Sequence, residues 1–107
     1  MNDNSNESRI VYDTMQALGR FGAVLRTNAG SVKLPNGRTF RGLPKGFSDI
    51  LHIRRDGKAC FVETKVKPNK ATPEQIAFIE KMQDHDCIAG VVYSVGEALQ
   101  LCGYASS

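Results

Sequence analysis

The chain has 107 residues, of which 41% are hydrophobic and 23% are charged, and its formal net charge at pH 7 is +3. This size and composition predict a single folded domain over residues 1–107, with residues 1–6 frayed, and argue against a disordered chain. The sequence has neither an apolar run of about 18 residues nor a charged-then-apolar leader. We therefore expect no membrane span and no signal peptide, and a cytoplasmic location.

The first predicted element is an amphipathic helix over residues 7–20, followed by a strand over residues 21–28. The apolar positions of the helix recur near helical spacing and are Ile10, Val11, Met15 and Leu18. The turn sequence P-N-G at residues 35–37 then predicts a hairpin over residues 32–41. Residues 42–46 form an irregular segment whose glycines either admit a phosphate or simply connect two strands.

The central prediction is a hairpin with strands over residues 49–54 and 58–66. The loop between them is R-D-G, and a three-residue loop that ends in glycine places this glycine in the left-handed, bulge-forming position. Such a loop puts Asp49 directly opposite Glu63, on one face of the sheet. A two-residue loop would instead pair Asp49 with Thr64 and send the two carboxylates to opposite faces. The predicted site depends on this register.

In the first register, Asp49 and Glu63 could bind one hard divalent ion, Mg²⁺ or Mn²⁺. Lys65 follows Glu63 by two residues and therefore lies on the same side of its strand. Two carboxylates beside an ammonium group suit metal-assisted phosphodiester hydrolysis, in which the lysine orients the attacking water or balances developing charge. The D…ExK spacing is short, and it also fits a solvated Glu–Lys pair beside an ordinary turn aspartate.

Two capping boxes mark helix starts in the C-terminal part, T-P-E-Q at residues 72–75 and S-V-G-E at residues 94–97. The first begins a helix that ends near residue 84, and the second begins a short helix that ends near residue 102. The apolar run over residues 87–93 predicts a buried strand between them. The complete order is α-β-β-β-β-β-α-β-α, which predicts a mixed β-sheet flanked by helices in the α/β class.

Cysteine and histidine usage does not indicate a redox or zinc site. Cys60, Cys87 and Cys102 are odd in number and have no CxxC spacing, so we expect buried free thiols in a reducing compartment. His52 and His85 are far apart in sequence and lack ligand-like neighbours, which predicts structural or surface roles.

The basic residues are concentrated in the centre of the chain. Between Arg20 and Lys70 there are twelve Lys and Arg residues against three acids, whereas the flanks carry two basic residues and eight acids. Two of the three central acids are Asp49 and Glu63. This asymmetry suggests a polyanionic partner, although the same residues could merely solubilise the strands. The residues expected to bind DNA are Arg26, Lys33, Arg38, Arg41, Lys45, Lys67 and Lys70.

Four segments, in this order, resemble the VRR-NUC (virus-type replication-repair nuclease) domains of the PD-(D/E)xK nuclease superfamily. They are Arg26-Thr27-Asn28-Ala29-Gly30, Gly42…Gly46-Phe47-Ser48-Asp49, Glu63-Thr64-Lys65 and Gln75. The resemblance covers nearly the whole chain and implies a restriction-endonuclease-like core. The departure is Ser48, where the superfamily motif has proline, and we expect it to be tolerated because this proline makes no essential ligand contact.

The resemblance implies a role for each matching residue. Asp49 and Glu63 match the metal ligands, the backbone carbonyl of Thr64 would complete the coordination, and Lys65 matches the lysine that handles the attacking water.

Two further residues have both a structural and a catalytic interpretation. Glu7 matches an acidic residue on the first helix that lies by the site and would add a ligand, and Gln75 matches a glutamine on the helix after ExK. The residue pattern alone explains Glu7 by the helix dipole and Gln75 by the capping box.

Small stand-alone members of this family resemble homodimeric enzymes that resolve four-way (Holliday) DNA junctions. The resemblance therefore implies a Mg²⁺- or Mn²⁺-dependent, structure-selective DNA endonuclease that acts as a homodimer. The candidate dimer contacts are the hairpin over residues 32–41 and the strand that contains Val24 and Leu25. Two alternatives stay open: a non-catalytic DNA-binding module with this fold, and a restriction-type enzyme, for which so short a chain offers no readout element.

Overall fold

The structure is a computed structural model that describes residues 3–27, 31–41 and 43–104. The order of elements in these ranges is the predicted one. The elements are α1 (Asp3–Leu18), β1 (Gly22–Arg26), β2 (Ser31–Lys33), β3 (Thr39–Arg41), β4 (Ile50–Arg54), β5 (Ala59–Thr64), α2 (Pro73–Asp84), β6 (Ile88–Val92) and α3 (Val95–Leu101).

Four strands form a mixed sheet in the order β1-β4-β5-β6. The β1–β4 and β4–β5 pairs are antiparallel, and β5 pairs with β6 in parallel. Because parallel neighbours need a crossover connection, α2 lies between β5 and β6 in the chain. β2 and β3 pair with each other in a separate two-stranded sheet, the predicted hairpin. The predicted α/β class, a mixed sheet flanked by helices, is confirmed.

The register of the β4–β5 hairpin matches the three-residue loop. Ile50 faces Val62 in the ladder, and one further step along both strands places Asp49 opposite Glu63. Gly57, the last residue of the loop, has a φ angle of 90°, the left-handed conformation expected there. The alternative register of a two-residue loop is therefore wrong.

One face of the four-stranded sheet packs against α1 and α3. Alternate residues of β4 and β5 point to this side and are buried, as the period of two along a strand requires. The core cluster consists of Val11, Leu18, Ile50, Cys60, Val62, Val92, Ala98 and Cys102, each at most 4% exposed.

α2 covers the other face over β5 and β6. Three aromatic rings, those of Phe47, Phe61 and Phe78, meet there with centroids 4.5 to 5.7 Å apart. Gly46 has a φ angle of 95°, and a Cβ atom at this position would lie 2.6 Å from the carbonyl oxygen of Glu74. This glycine therefore lets the approach loop pack on α2. Residue 42, the other glycine of the loop, lies outside the described ranges.

Both predicted helix caps form, the second only in part. The hydroxyl of Thr72 accepts the N–H of Gln75, and the Gln75 side chain accepts the N–H of Thr72, which completes a capping box. The hydroxyl of Ser94 accepts the N–H of Glu97 at 3.1 Å. The Glu97 carboxylate accepts the N–H of Tyr93 at 2.9 Å instead of that of Ser94, so the return bond of the second box is displaced by one residue.

α1 begins at Asp3, before the predicted start at residue 7, so part of the segment expected to fray is helical. Over the ranges that the structure describes, no helix is long and apolar enough to span a membrane.

His52 has a structural role, as predicted, and the prediction of buried thiols is confirmed for two of the three cysteines but wrong for Cys87, which is partly exposed. The three cysteines are free, and two of them, Cys60 and Cys102, are buried. His52 is fully buried, with one ring nitrogen 2.9 Å from the Ala23 carbonyl oxygen and the other 2.7 Å from the Tyr104 hydroxyl. This ring therefore links β4 to β1 and to the segment after α3.

Candidate active site

Two acidic side chains lie side by side at the end of the β4–β5 hairpin that is farthest from its loop. Asp49 directly precedes β4, and Glu63 is the second-last residue of β5. Glu63 is 4% exposed and Asp49 is partly buried. The hairpin thus brings together the two carboxylates that the sequence predicts as metal ligands.

Thr64 holds the carboxylate of Asp49. Its backbone N–H donates to Oδ1 at 3.2 Å, and its hydroxyl donates to Oδ2 at 2.7 Å. The sequence predicted only the backbone carbonyl of Thr64 as a participant, and its role as a ligand stays a prediction. The hydroxyl contact was missed because a threonine in a strand is ordinarily a packing residue and gives no separate signal.

Gln75 and Lys65 hold the carboxylate of Glu63. The Gln75 amide donates to Oε2 at 3.1 Å, and the Lys65 ammonium lies 3.6 Å from the same oxygen. The amide oxygen of Gln75 accepts the N–H of Thr72 at 2.9 Å. One side chain therefore caps α2 and bonds Glu63, which confirms the capping role, while a catalytic role for Gln75 stays a prediction.

Burial raises the pKa of both acids, and like charge adds to the shift of Glu63. The pKa of Glu63 is raised to about 7, chiefly because the carboxylate is buried and secondly because Asp49 lies near, while Lys65 opposes the shift. Burial also raises the pKa of Asp49, although the hydrogen bonds from Thr64 and the charge of Arg26 oppose it. The pair therefore favours a cation or a proton beside it.

The donor set fits a hard divalent ion. Carboxylate oxygens are the ligands that Mg²⁺ and Mn²⁺ prefer, and the two acids here face a single lysine. Within the described ranges, no three His, Cys, Asp or Glu side chains gather in a group that could hold a metal. Asp49 and Glu63 would hold such an ion, whose remaining positions can be filled by waters and substrate phosphate oxygens.

A cavity of about 230 Å³ lies in front of the carboxylates, between α1 and the strand ends. Glu7 lies at its rim, is exposed, and accepts a hydrogen bond from the Asn69 amide at 3.2 Å. A metal-ligand role for Glu7 stays a prediction. The residues that line the cavity are Glu7, Ser8, Val11, Arg26, Asp49, Glu63, Thr64 and Lys65.

The predicted DNA-binding residues lie in different settings. Arg26, at the end of β1, lines the cavity itself. The ammonium of Lys67 lies 5.7 Å from the centroid of the Tyr93 ring, a cation–π contact beside the same end of the sheet. Lys45 lies 3.9 Å from the Glu74 carboxylate and is 83% exposed, so this weak surface pair leaves it accessible to another anion.

Two of the remaining predicted DNA-binding residues are described and do not line the cavity. Arg38, which precedes β3, and Lys70, in the segment before α2, are exposed. Lys33 ends β2 and Arg41 ends β3, and their side chains lie outside the described part of the structure.

Ser48 replaces the motif proline and takes part in the hydrogen bonding of the approach to Asp49. It is 1% exposed, and its hydroxyl donates to the Ile50 carbonyl at 3.1 Å. Its own carbonyl accepts the hydroxyl of Thr27, a residue that sequence reasoning did not single out for this contact. Bonds to two neighbouring segments therefore fix the backbone just before Asp49, which gives the expected tolerance of serine a physical basis.

Comparison with known proteins identifies the family. The sequence profile of the VRR-NUC domain matches residues 15–96, a range that includes both carboxylates, Lys65 and Gln75 but not Glu7. A solved structure described as "VRR_NUC domain" superimposes with a TM-score of 0.67 at 22% identity, over 94% of this chain and 97% of the other, which shows a shared fold. The comparison with curated proteins found no match. Since the profile covers most of its length, the chain belongs to the VRR-NUC family of nuclease-type domains.

Proposed function

We propose that the protein is a metal-dependent, structure-selective DNA endonuclease that hydrolyses phosphodiester bonds and resolves four-way junctions as a homodimer. The observation that carries the proposal is the buried pair of Asp49 and Glu63 with the Lys65 ammonium 3.6 Å from Glu63. Family membership supports a nuclease, and this donor set supports a nuclease that depends on a divalent ion.

The residues of the chain have separate tasks in this proposal. Mg²⁺ or Mn²⁺ bound by Asp49, Glu63 and the carbonyl of Thr64 would polarise the scissile phosphate and lower the pKa of a bound water. Lys65, which is 19% exposed, orients the attacking water or balances the negative charge that develops on the phosphate. Gln75 keeps the Glu63 carboxylate in place, so the site needs little rearrangement when substrate binds.

DNA is the substrate that the charge distribution favours. Arg26 lines the cavity and can bind a phosphate next to the scissile one. Lys67 and Lys70 are exposed in the segment between β5 and α2, where they can bind phosphates farther from the site. Backbone contacts of this kind give affinity without sequence preference, which accords with selection by DNA structure.

The homodimer has its support at the edge of the sheet. β1 is an edge strand, and Leu25 on it is 54% exposed, whereas Val24 packs against the core and is unsuited to a subunit contact. Leu25 and the β2–β3 hairpin are therefore the proposed contacts. Sedimentation equilibrium is expected to give twice the chain mass for the native protein and the monomer mass for Leu25→Lys. A native protein that sediments as a monomer would contradict the dimer.

The proposed activity is tested with a labelled immobile four-way junction and a linear duplex of matching sequence, each incubated with Mg²⁺, Mn²⁺ or EDTA. We expect metal-dependent cutting of the junction but not of the duplex. Asp49→Asn is expected to lose this cutting, because it removes one charged ligand without changing the size of the side chain. Asp84→Asn, at the exposed end of α2, is the matched control and is expected to cut normally.

The other outcomes distinguish a structure-selective nuclease from the alternative functions. Cutting of both substrates would keep the nuclease and reject structure selectivity. Binding of the junction without cutting, under either metal, would reject the enzyme in favour of a non-catalytic DNA-binding module.

A further inference from the structure

A second cavity lies at the loop end of the β4–β5 hairpin, far from the carboxylates. Its volume is about 320 Å³, and it lies between the loop, the segment after α1 and the segment after α3. We call it the aromatic groove. The residues that line it are Phe21, Arg54, Arg55, Asp56, Gly103 and Tyr104.

Two stacked rings form one wall of the aromatic groove. The centroids of Phe21 and Tyr104 are 4.3 Å apart and their planes differ by 19°. The Tyr104 hydroxyl lies 2.7 Å from a ring nitrogen of the buried His52, so the stack is anchored in the core. Phe21 is 40% exposed, and an exposed aromatic ring offers a stacking surface for another planar ring.

Guanidinium groups form the other wall. Arg54 is held by the Asp56 carboxylate and by the Cys102 carbonyl at 3.1 Å, so its charge is balanced within the chain. The neighbouring Arg55 is exposed and forms no ion pair among the described residues. The groove therefore presents a net positive charge beside an aromatic surface, a combination that suits a base and its phosphate.

α1 and the segment that follows it contribute to both cavities. Ser8 on α1 lines the first cavity, and Phe21, just after the end of α1, lines the second. Five residue steps along β4 separate Asp49 from Arg54, which is about 17 Å at about 3.3 Å per residue. A strand of DNA rises about 3.4 Å per nucleotide, so this distance corresponds to about five nucleotides.

We propose that the aromatic groove binds an unstacked nucleotide of the nucleic-acid substrate, with the base against Phe21 and its phosphate against Arg55. The inference rests on the proposed function for the identity of the substrate. A continuous duplex keeps its bases stacked, whereas a branched or distorted duplex can offer one at lower cost. The groove would thus add to selection by DNA structure, about five nucleotides from the scissile phosphate.

The test measures binding and not cleavage, so it uses the full chain in EDTA. The probe is a fluorescein-labelled oligothymidylate of about ten nucleotides, long enough to span both cavities, and its affinity is read from fluorescence anisotropy. A second probe carries abasic sites in place of the bases. The variants are Phe21→Leu, Phe21→Tyr and Arg55→Gln, with Lys81→Gln, on the exposed face of α2, as the control that removes one positive charge elsewhere.

We expect Phe21→Leu to weaken binding of the oligothymidylate about fivefold or more, and Phe21→Tyr to stay within about twofold of the native protein. On the abasic strand, Phe21→Leu and the native protein should bind equally, because no base is left to stack. Arg55→Gln should weaken binding of both strands more than Lys81→Gln does. Melting curves check the fold of Phe21→Leu. If that variant is unstable, the test compares the affinities of the native protein and of Phe21→Tyr for the thymidylate and the abasic strands.

Three results would overturn the inference. The first is equal affinity of the native protein for the thymidylate and abasic strands, and the second is no binding of either. The third is displacement of the strand by an equal concentration of thymidine monophosphate, which would assign the groove to a free nucleotide. None of these results affects junction cutting through Asp49 and Glu63, so failure here is distinct from failure of the proposed function.

Discussion

The two ends of the β4–β5 hairpin carry acidic residues in opposite settings. At the loop end, Asp56 is exposed and bonded to Arg54, and this bond is the chief cause that lowers its pKa to about 2. At the far end, Glu63 is buried beside Asp49, and its pKa is raised to about 7. The two ends of one hairpin thus shift the pKa of a carboxylate in opposite directions.

The difference lies in how the chain balances the charge. Asp56 has a cation of its own, Arg54, so its negative charge is balanced within the chain. Asp49 and Glu63 share Lys65 as the close cation, with Arg26 as a further influence on Asp49. A buried like-charged pair opposes folding, and such arrangements concentrate at functional sites, where a bound ion or substrate supplies the missing charge.

The largest expected effect comes from breaking this contrast with Glu63→Gln. Removal of one charged ligand should lower junction cutting about 10²-fold or more. The same change removes a buried like charge, so we expect the metal-free protein to melt a few degrees higher, a gain of about 1 kcal/mol. Both are measured in parallel, by cleavage assay with Mg²⁺ and by calorimetry in EDTA.

Asp56→Asn is the corresponding change at the loop end and should have the opposite effect on stability, a slightly lower melting temperature, because it removes the partner of Arg54. Glu80→Gln, on the exposed face of α2, is the control for cutting. If Glu63→Gln melted lower than the native protein, the carboxylate would be a stabilising group, and the contrast between the two ends would be lost.

A smaller effect is expected at Gln75, whose two bonds can be separated. Gln75→Glu keeps a residue type that completes a capping box but replaces the donor to Glu63 with another carboxylate. We expect cutting to fall about 10- to 100-fold, as for other groups that orient a metal ligand, with α2 still capped. Steady-state cleavage is measured at several Mg²⁺ concentrations, and the loss should appear as a higher Mg²⁺ concentration for half-maximal cutting.

Thr72→Ala is the control for that experiment, because it removes the cap and leaves the Gln75 amide free to bond Glu63. It should reduce stability by about 1 kcal/mol and leave cutting nearly unchanged. Equal losses of cutting in both variants would mean that Gln75 acts only through the helix cap.

The sequence predicts the central hairpin well because its constraints are local. A loop of three residues that ends in Gly57 fixes the pairing of every residue in both strands and sets Asp49 opposite Glu63. The spacing leaves only one alternative, a two-residue loop, which the structure excludes. The capping box at residues 72–75 is equally local. The order of elements follows from the same kind of local pattern, because each segment has its own spacing of apolar residues and is bounded by turn-forming or capping residues.

The contacts that complete the site depend on tertiary packing and could not be predicted in this way. Gln75 reaches Glu63 only because α2 packs over the end of β5, and its cap gave it a sufficient local explanation. Asn69 bonds Glu7 across 62 residues of sequence, and the ring of Tyr104 stacks on Phe21 between segments that lie near opposite ends of the chain. No pattern within one element indicates such pairs.

The smallest expected effect is on stability as a function of pH, where Glu63 and His52 should respond to acid in opposite directions. The folded-state pKa of Glu63, about 7, lies above its ordinary 4.5, so folding takes up a proton and stability rises as the pH falls from 7 towards 4.5. Burial lowers the pKa of His52 below its ordinary 6.5, with Arg54 adding to the shift and the Ala23 carbonyl opposing it. The unfolded chain then takes the proton first, and stability falls as the pH drops below 6.5.

Urea unfolding of the metal-free protein between about pH 5 and pH 8 separates the two contributions. Glu63→Gln removes the first, so its stability should fall as the pH drops below 6.5 through His52, with Tyr104 as the bonded neighbour of that ring. The native protein should lose less over the same interval, because protonation of Glu63 offsets the loss. The higher stability of Glu63→Gln relative to the native protein at pH 8 should therefore disappear near pH 5. A difference in stability that stays constant with pH would show that Glu63 titrates near its ordinary 4.5. The charged carboxylate at the far end of the hairpin would then be no more destabilised by its surroundings than the one at the loop end.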